Sequence, residues 1–143
     1  MVRKCVIQYR KINRYKYQLQ RDYRCAVDIR PDSDIDVSDG WFSLSVEGIA
    51  RFRKGYSWDG PSGPAIDTPN FMRASLVHDG LYQMMREGKL PSSYRKTADK
   101  IMRDICREDG MSRFRAWYTY QGVRAFGASR VKPKPVQPVV CAP

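Results

Sequence analysis

The stretch Leu76-Val77-His78-Asp79-Gly80-Leu81-Tyr82 places the only histidine of the 143-residue chain beside an aspartate, inside an otherwise apolar sequence. Thr68 before Pro69 predicts where this helix begins, because threonine is a common N-cap and proline fits the first helical turn. Gly88 predicts where the helix ends. We therefore expect a first helix over residues 69–87 that carries both polar side chains.

Two more helices are predicted from capping signals further along the chain. Ser92 or Ser93 can cap a second helix that ends before Gly110, and Ser112 can cap a third that runs to about Gly127. This part of the chain is therefore expected to form a helical hairpin with a third helix.

The hairpin brings an acid opposite the histidine. His78 lies ~10 residues before the turn between the two helices and Asp99 lies ~10 after it, so at 1.5 Å per residue both fall ~15 Å from the turn. We expect His78 and Asp79 to lie opposite Asp99 as one polar site. One carboxylate can then hold the imidazole tautomer while the other ring nitrogen faces a substrate or water. Tyr82 shares the face of His78 and can reach the same carboxylate, although a lone helical histidine is more often structural.

The amino-terminal part of the chain indicates β-structure. Residues 2–56 are rich in Tyr, Val, Ile and Phe, residues 15–19 alternate apolar and polar side chains, and Asp39-Gly40 is a hairpin signal. We expect three or four antiparallel strands. The predicted fold class is α+β, with an amino-terminal antiparallel sheet or hairpins followed by a three-helix unit.

The predicted domain organisation is one α+β domain and a tail. The domain covers residues 1–127, of which 1–58 are strand-rich and 68–127 helical. Residues 128–143 carry four prolines and two lysines without periodicity, and we expect an extended, basic tail.

A loop rich in glycine and proline separates the strands from the helices. Asp79 is rotated by ~100° from His78 and can face this loop, which covers residues 56–64. Calcium takes oxygen ligands from carboxylates, backbone carbonyls and water, and Asp59 could add a second carboxylate. The alternative is an ordinary tight connector.

The basic composition predicts an anionic partner. The formal net charge is +11 and the sequence pI is near 9.8. Phospholipid head groups and nucleic acid both fit, as do solvated surfaces with no such partner. Basic residues interleave with tyrosines near the amino terminus, which suggests nucleic-acid binding; these are Arg3, Lys4, Tyr9, Arg10, Lys11, Arg14, Tyr15, Lys16 and Tyr17. Alternation along a strand would instead turn about half of these side chains toward the core, and we favour packing for the aromatic ones.

The order of a glycine-rich loop, a His-Asp-x-x-Tyr helix and an Ala-Asp helix resembles the calcium-dependent secretory phospholipase A superfamily. The likeness is greatest to the compact form in the minor capsid protein of parvoviruses. The matching stretches are Gly60-Pro61-Ser62-Gly63-Pro64, residues 74–82, residues 86–89 and Thr97-Ala98-Asp99-Lys100-Ile101-Met102. The resemblance implies that His78 activates water, that Asp79 binds calcium, and that Asp99 and Tyr82 orient the imidazole. It also implies that the carbonyls of Tyr56, Gly60 and Gly63 complete the calcium shell.

A second resemblance covers most of the chain. The loop aspartate, the His-Asp-x-Leu-Tyr motif, the Ala-Asp pair and the closing Val123-Arg124-Ala125-Phe126-Gly127 look like a family of small uncharacterised proteins from tailed phages and prophages. This likeness implies an origin and no reaction. It predicts synthesis in the host cytoplasm, with association with the virion left open.

Two hypotheses for function follow. The first is calcium-dependent ester hydrolysis of phospholipid on an anionic membrane surface. The second is a non-enzymatic phage component, either a virion part that contacts other phage structural proteins or a binding protein for an anionic host molecule, in which the polar network fixes the helix register. A metal-dependent phosphohydrolase would need further histidine ligands, which this sequence lacks. No apolar run is long enough to span a membrane.

The third predicted helix carries many aromatic residues: Phe114, Trp117, Tyr118, Tyr120 and Phe126. Packing against the first two helices is the favoured interpretation, and membrane anchoring is the alternative.

Overall fold

The computed structural model describes residues 7–13, 16–37, 39–59, 68–133 and 141, and its secondary structure runs from strands to helices. The strands are β1 (Tyr9–Asn13), β2 (Lys16–Leu19), β3 (Tyr23–Ala26), β4 (Ile35–Val37), β5 (Phe42–Leu44), β6 (Ile49–Phe52) and β7 (Ser57–Trp58). The helices are α1 (Pro69–Arg86), α2 (Arg95–Glu108) and α3 (Arg113–Phe126), with 3-10 turns at Ser92–Tyr94 and Ala128–Val131. The predicted α+β fold class is confirmed.

The described strands form two antiparallel sheets. One has the order β1-β2-β7 and the other β3-β6-β5-β4. Asp39 and Gly40 both have positive φ, 54° and 87°, so the predicted hairpin lies between β4 and β5. The expected number of three or four strands was wrong. The seven strands have only two to five residues each, and alternation over so few positions does not separate neighbouring strands.

The central element is α1, and it is buried on almost every side. Twelve of its 18 residues are buried, and Gly80 faces the stacked rings of Phe42 and Phe52, whose centroids are 4.2 Å apart. A Cβ at Gly80 would lie 2.8–2.9 Å from those rings. The glycine of the His-Asp-Gly motif therefore allows α1 to lie directly on the sheet.

The predicted helices are confirmed within a few residues. The observed α1 stops one residue before the predicted end, and the serines at 92 and 93 begin a 3-10 turn that continues into α2. The side chain of Ser112 caps α3 by accepting a hydrogen bond from the amide of Arg115 at 3.2 Å. Thr68 occupies the N-cap of α1, but its hydroxyl donates to Asn70 Oδ1 instead of capping an amide.

Two segments differ from the expected loop and tail. Ser57 and Trp58 pair with β2 as an edge strand, so the connector before α1 starts only after Trp58. Residues 128–131 form a 3-10 turn whose Val131 is buried, and Arg86 of α1 donates to the carbonyl of Arg130 at 3.0 Å. An extended tail can therefore begin only after this turn, and residues 134–140, 142 and 143 lie outside the described residues.

The expectation that the aromatic residues of α3 pack in the core was wrong for four of the five. Phe114, Trp117, Tyr118 and Phe126 are 74, 54, 53 and 82 % exposed. Ala116 is the one buried residue of α3, and the side of the helix that carries it packs against α2. Among the residues that the structure describes, no helix is both long and apolar enough to cross a membrane.

Candidate functional site

The side chains of His78, Tyr82 and Asp99 meet between α1 and α2. Nε2 of His78 lies 2.8 Å from Oδ1 of Asp99, and the Tyr82 hydroxyl donates to the same oxygen at 2.5 Å. His78 and Tyr82 are one helical turn apart on α1, and their rings pack with centroids 4.0 Å apart. The structure thus brings together His78 and Asp99, which the hairpin geometry placed at one height, and Tyr82, which was expected to share the face of His78. Asp99 is fully buried and His78 is 5 % exposed.

Arg124 of α3 completes the surroundings of Asp99. Its Nη1 donates to Oδ2 of Asp99 at 2.8 Å, so both carboxylate oxygens accept hydrogen bonds. The Arg124 side chain is 30 % exposed and connects the buried carboxylate to the surface. Three helices therefore contribute to one network, and a buried carboxylate is stable only when it is paired in this way.

Arg95 and Gly127 hold the end of α3 in position. Nη2 of Arg95 donates to the carbonyls of Val123 and Arg124 at 2.7 and 2.8 Å, which satisfies the carboxyl end of α3. A Cβ at Gly127 would lie 2.9 Å from the Tyr82 hydroxyl oxygen and 2.6 Å from the carbonyl oxygen of Val123. Only a glycine fits at this point, which explains the closing glycine of the motif.

Two carboxylates act on the imidazole of His78. Burial alone would lower its pKa, but Asp79 and Asp99 outweigh burial and raise the pKa above its usual value. Asp79 Oδ1 lies 3.8 Å from Nδ1, too far for a hydrogen bond, and at this distance we attribute its effect on the pKa to charge. Asp99 therefore contacts one ring nitrogen while Asp79 lies near the other.

The protonation states of Asp99 and Tyr82 follow from the same contacts. Burial would raise the pKa of Asp99, whereas hydrogen bonds from His78, Tyr82 and Arg124 lower it, so the carboxylate stays charged. Burial and the Asp99 carboxylate raise the pKa of Tyr82. The phenol therefore remains a hydrogen-bond donor throughout the physiological range of pH.

A polar cavity of about 250 Å³ lies next to Asp79, between α1 and β7. Its lining residues are Tyr56, Ser57, Trp58, Asp59, Asp79, Gln83, Arg86 and Arg130. Asp79 contacts this cavity and also lies near Nδ1 of His78. The expected orientation of Asp79, toward the segment after β6, is therefore observed, and this aspartate connects the imidazole to the cavity.

The donors around this cavity fit a hard cation in part. Asp59, Asp79 and the amide oxygen of Gln83 are oxygen donors, and neither cysteine nor histidine lines the cavity. In the described ranges, however, no group of three or more His, Cys, Asp or Glu side chains is arranged so that it could hold a metal ion. Gly60 and Gly63, the other predicted ligands, lie outside the described residues.

The carbonyl of Tyr56, a predicted calcium ligand, already has a hydrogen-bond partner. It accepts a hydrogen bond from the amide of Leu19 at 2.8 Å, and Tyr56 also lines the cavity. Its hydroxyl donates to Gln83 Oε1 at 2.8 Å, and its ring is buried. Among the described lining residues, Asp59 and Asp79 are the candidate ligands that carry negative charge.

The model of one family, described as a protein of unknown function (DUF1353), matches residues 45–123, which is more than half of the chain. The chain belongs to this family. The matched part of this DUF1353 chain includes Asp59, His78, Asp79, Tyr82 and Asp99, and it ends one residue before Arg124. No curated protein and no solved structure matches the chain.

Sequence reasoning missed Arg124, Arg95, Gln83 and the cavity arginines. Arg124 lies 25 positions from Asp99 on a different helix, so neither spacing nor periodicity connects the two. Its place in the closing motif, three residues before a glycine with no room for a side chain, was the one signal that could have identified it.

Proposed function

We propose that this protein hydrolyses ester bonds of phospholipids with His78 as the general base and calcium as a cofactor. The observation that carries the proposal is the orientation of the imidazole. Nε2 is bound by the buried Asp99, and Nδ1 lies near Asp79, which lines the polar cavity. An imidazole oriented by a carboxylate on one nitrogen leaves the other nitrogen available to accept a proton from water.

The residues of the network would act in a fixed order. Nε2–H of His78 donates to Asp99, which selects the tautomer with a lone pair on Nδ1. Nδ1 takes a proton from water as the water attacks the ester carbonyl carbon, and the imidazolium then gives this proton to the leaving alcohol. Asp99 stays ionised throughout, because Tyr82 and Arg124 keep donating to it.

Asp79 and Asp59 would hold the cation at the cavity. A bound Ca²⁺ would polarise the ester carbonyl and stabilise the charge that develops on its oxygen. When Asp79 holds a cation, the negative charge near Nδ1 is offset, and His78 loses its proton more readily. The same ligand would thus make His78 a better base at neutral pH.

The cavity arginines and the net charge favour an anionic lipid as substrate. Arg86 and Arg130 line the cavity together with the two carboxylates, and guanidinium groups bind phosphate oxygens well. The formal charge of +11 would attract the protein to an anionic surface, where each nearby basic residue contributes on the order of 1 kcal/mol.

The test is release of fatty acid from phospholipid vesicles, with calcium and with a chelator. We expect calcium-dependent release by the native protein and none by His78→Ala or the closer isostere His78→Gln. Asp109→Asn is the matched control, because this acid lies in a different cluster, and it should keep the native rate. Thermal unfolding of each variant shows whether a loss of activity comes from the changed side chain or from a loss of the folded state. Native protein that is folded but inactive on several phospholipids would contradict the proposal.

The second candidate is a phage protein without catalytic activity, either a virion component or a binding protein for an anionic host molecule. Two observations favour this candidate: both oxygens of Asp99 accept hydrogen bonds, and His78 is buried. A purely structural network that fixes the register of three helices would also be buried and fully hydrogen-bonded. The likeness to proteins of tailed phages supports such an origin. In this case His78→Gln would lower the free energy of unfolding, and neither the native protein nor the variant would hydrolyse lipid.

A further inference from the structure

We infer that α3 is a docking surface for the head-group region of an anionic lipid bilayer. The surface consists of Phe114, Trp117 and Tyr118 together with Arg113, and we call it the α3 face. The inference goes beyond hydrolysis, because it concerns binding alone and holds whether or not the His78 site is active.

The three rings lie on one side of the helix. At 100° per residue, Trp117, Phe114 and Tyr118 fall within about 100° of one another, on the side away from the buried Ala116. The rings of Phe114 and Trp117 pack together, with centroids 6.1 Å apart, and more than half of each of the three side chains is exposed. A single exposed apolar residue is ordinary, but three adjacent large aromatic residues mark an interaction site.

The sequence of α3 and of the residues after it carries only positive charge. From residue 110 to the end, the sequence has no Asp or Glu and six basic residues, namely Arg113, Arg115, Arg124, Arg130, Lys132 and Lys134. Arg113 is exposed beside the first aromatic residue. The partner must therefore accept aromatic side chains and carry negative charge.

A bilayer surface fits these requirements better than the other candidates. Trp and Tyr favour the boundary between head groups and acyl chains, where an apolar ring and a polar edge are both satisfied. A helix with such rings on one side and Arg residues beside them lies flat at this boundary. In a second copy of the chain, the same arginines would face one another across a symmetric contact, which is unfavourable. Single-stranded nucleic acid favours a groove lined by several basic residues, whereas the α3 face has one arginine, Arg113, beside three aromatic rings.

The α3 face also lies close to the buried network. Arg124 is seven residues after Trp117, two helical turns along nearly the same side, and it donates to Asp99. A bilayer seated on α3 would therefore approach the side of the protein from which Arg124 enters the network.

The experiment measures binding to vesicles of ether-linked phospholipids, which contain no carboxylic ester to hydrolyse, in the presence of a chelator. Vesicles of phosphatidylcholine alone are compared with vesicles that also contain phosphatidylglycerol. We expect binding to the anionic vesicles that decreases with salt and falls by about tenfold or more in the double variant Phe114→Ala and Trp117→Ala. Trp41→Ala, at an exposed tryptophan among the strands, is the matched control and should change binding less than about twofold.

Tryptophan fluorescence gives a second measurement that does not depend on a destabilising change. In Trp117→Phe the blue shift on addition of anionic vesicles should disappear, whereas in Trp41→Phe it should remain. Equal binding of native protein and double variant would overturn the inference. Three other results would also overturn it. The native protein could fail to bind the anionic vesicles, or it could bind single-stranded DNA and no vesicles. It could also sediment as a dimer that the double variant does not form. Because these lipids lack the carboxylic ester that the His78 site would attack, these outcomes are independent of whether that site hydrolyses lipid.

Discussion

Two polar clusters join α1 to α2, and the comparison between them identifies the one suited to chemistry. In the first, which we call the Arg73 cluster, Arg73 donates through Nε and Nη2 to both oxygens of Asp109 at 2.9 Å and to Glu108 at 2.8 Å. Its Nη1 also donates to the Tyr23 hydroxyl at 3.1 Å. The second is the Asp99 cluster described above. Each combines a cation, a tyrosine and an acid of α2.

The two clusters differ in burial and in which groups can titrate. The side chains of Arg73 and Asp109 are 13 and 17 % exposed and that of Glu108 is 55 % exposed, whereas that of Asp99 is fully buried. Burial opposes the charge of Arg73, but its hydrogen bonds to these acids and to Tyr23 raise its pKa further above neutrality, so its guanidinium keeps its proton near neutral pH. The Asp99 cluster contains the one histidine of the chain. Both clusters can hold helices together, and the second also contains an imidazole, the side chain best suited to move a proton near neutral pH.

The largest expected effect comes from removing the charge of one aspartate in each cluster. Asp99→Asn should lower the free energy of unfolding by on the order of 3 kcal/mol, because it leaves Arg124 and His78 without their buried counter-ion. It should also lower the hydrolysis rate on the order of 10³-fold, because the imidazole loses the group that orients it. Asp109→Asn should cost about 1 kcal/mol and leave the rate unchanged. Urea unfolding measures the free energy of unfolding, and the lipid assay measures the hydrolysis rate. Equal hydrolysis rates in Asp99→Asn and Asp109→Asn would remove the distinction between the clusters.

The next largest effect concerns Arg73 itself. Arg73→Met should lower the free energy of unfolding by about 2 kcal/mol, less than for a fully buried pair because both partners keep some contact with water. Arg103→Met is the matched control, since its ion pair with Asp104 is exposed, and it should cost about 0.5 kcal/mol. Chemical denaturation compares the two variants. A lipid-hydrolysis rate that falls with the stability of Arg73→Met would show that this cluster takes part in more than folding.

The two tyrosines give a smaller and more specific comparison. Tyr82→Phe removes a hydrogen bond to a buried charged group and should cost about 1.5 kcal/mol, whereas Tyr23→Phe removes an acceptor for Arg73 and should cost about 1 kcal/mol. Only Tyr82→Phe should alter the acidic limb of stability against pH, because it removes a donor that lowers the pKa of Asp99. Identical pH profiles of the two variants would contradict this assignment.

The smallest expected effect is the pH dependence of stability in the native protein, because a change of pH alters the charge of a side chain and removes none of its atoms. The raised pKa of His78 contributes stability that is present below the unfolded value of 6.5 and is lost as pH rises through the folded pKa. The lowered pKa of Asp99 contributes stability that is present above the unfolded value of 3.8 and is lost as pH falls through the folded pKa. Stability from this network should therefore be greatest between these two unfolded values.

This pH dependence is measured by urea unfolding with a chelator, since a cation on Asp79 would change the charge near His78. His78→Gln serves as the control, because the chain has no second histidine to titrate in its place. The fall in stability above pH 6.5 should be absent in this variant. If His78→Gln and native protein lose stability in parallel, the imidazole is not charged in the folded protein.

Much of the helical unit was predictable from local signals. Caps, prolines and glycines gave the three helices, and the rise per residue was enough to place His78 opposite Asp99. The strand count was not predictable in the same way, because each strand is only two to five residues long and β7 depends on pairing with β2 for its existence. Asp79 was correctly expected to face the segment after β6, while the hydrogen bond between the amide of Leu19 and the carbonyl of Tyr56 could not be read from the sequence.

The sequence by itself determined the features that depend on neighbouring residues: the helix boundaries, the hairpin at Asp39-Gly40, and the shared height of the histidine and the acid on adjacent helices. The tertiary structure alone decided that Arg124 completes the Asp99 network and that the rings of α3 face outward. Backbone hydrogen bonding and φ preferences act over a few residues and are visible in a short stretch of sequence. Which side of a helix is covered depends instead on every element packed against it, and here α3 contacts α2 and the turn after it while four of its aromatic side chains stay exposed.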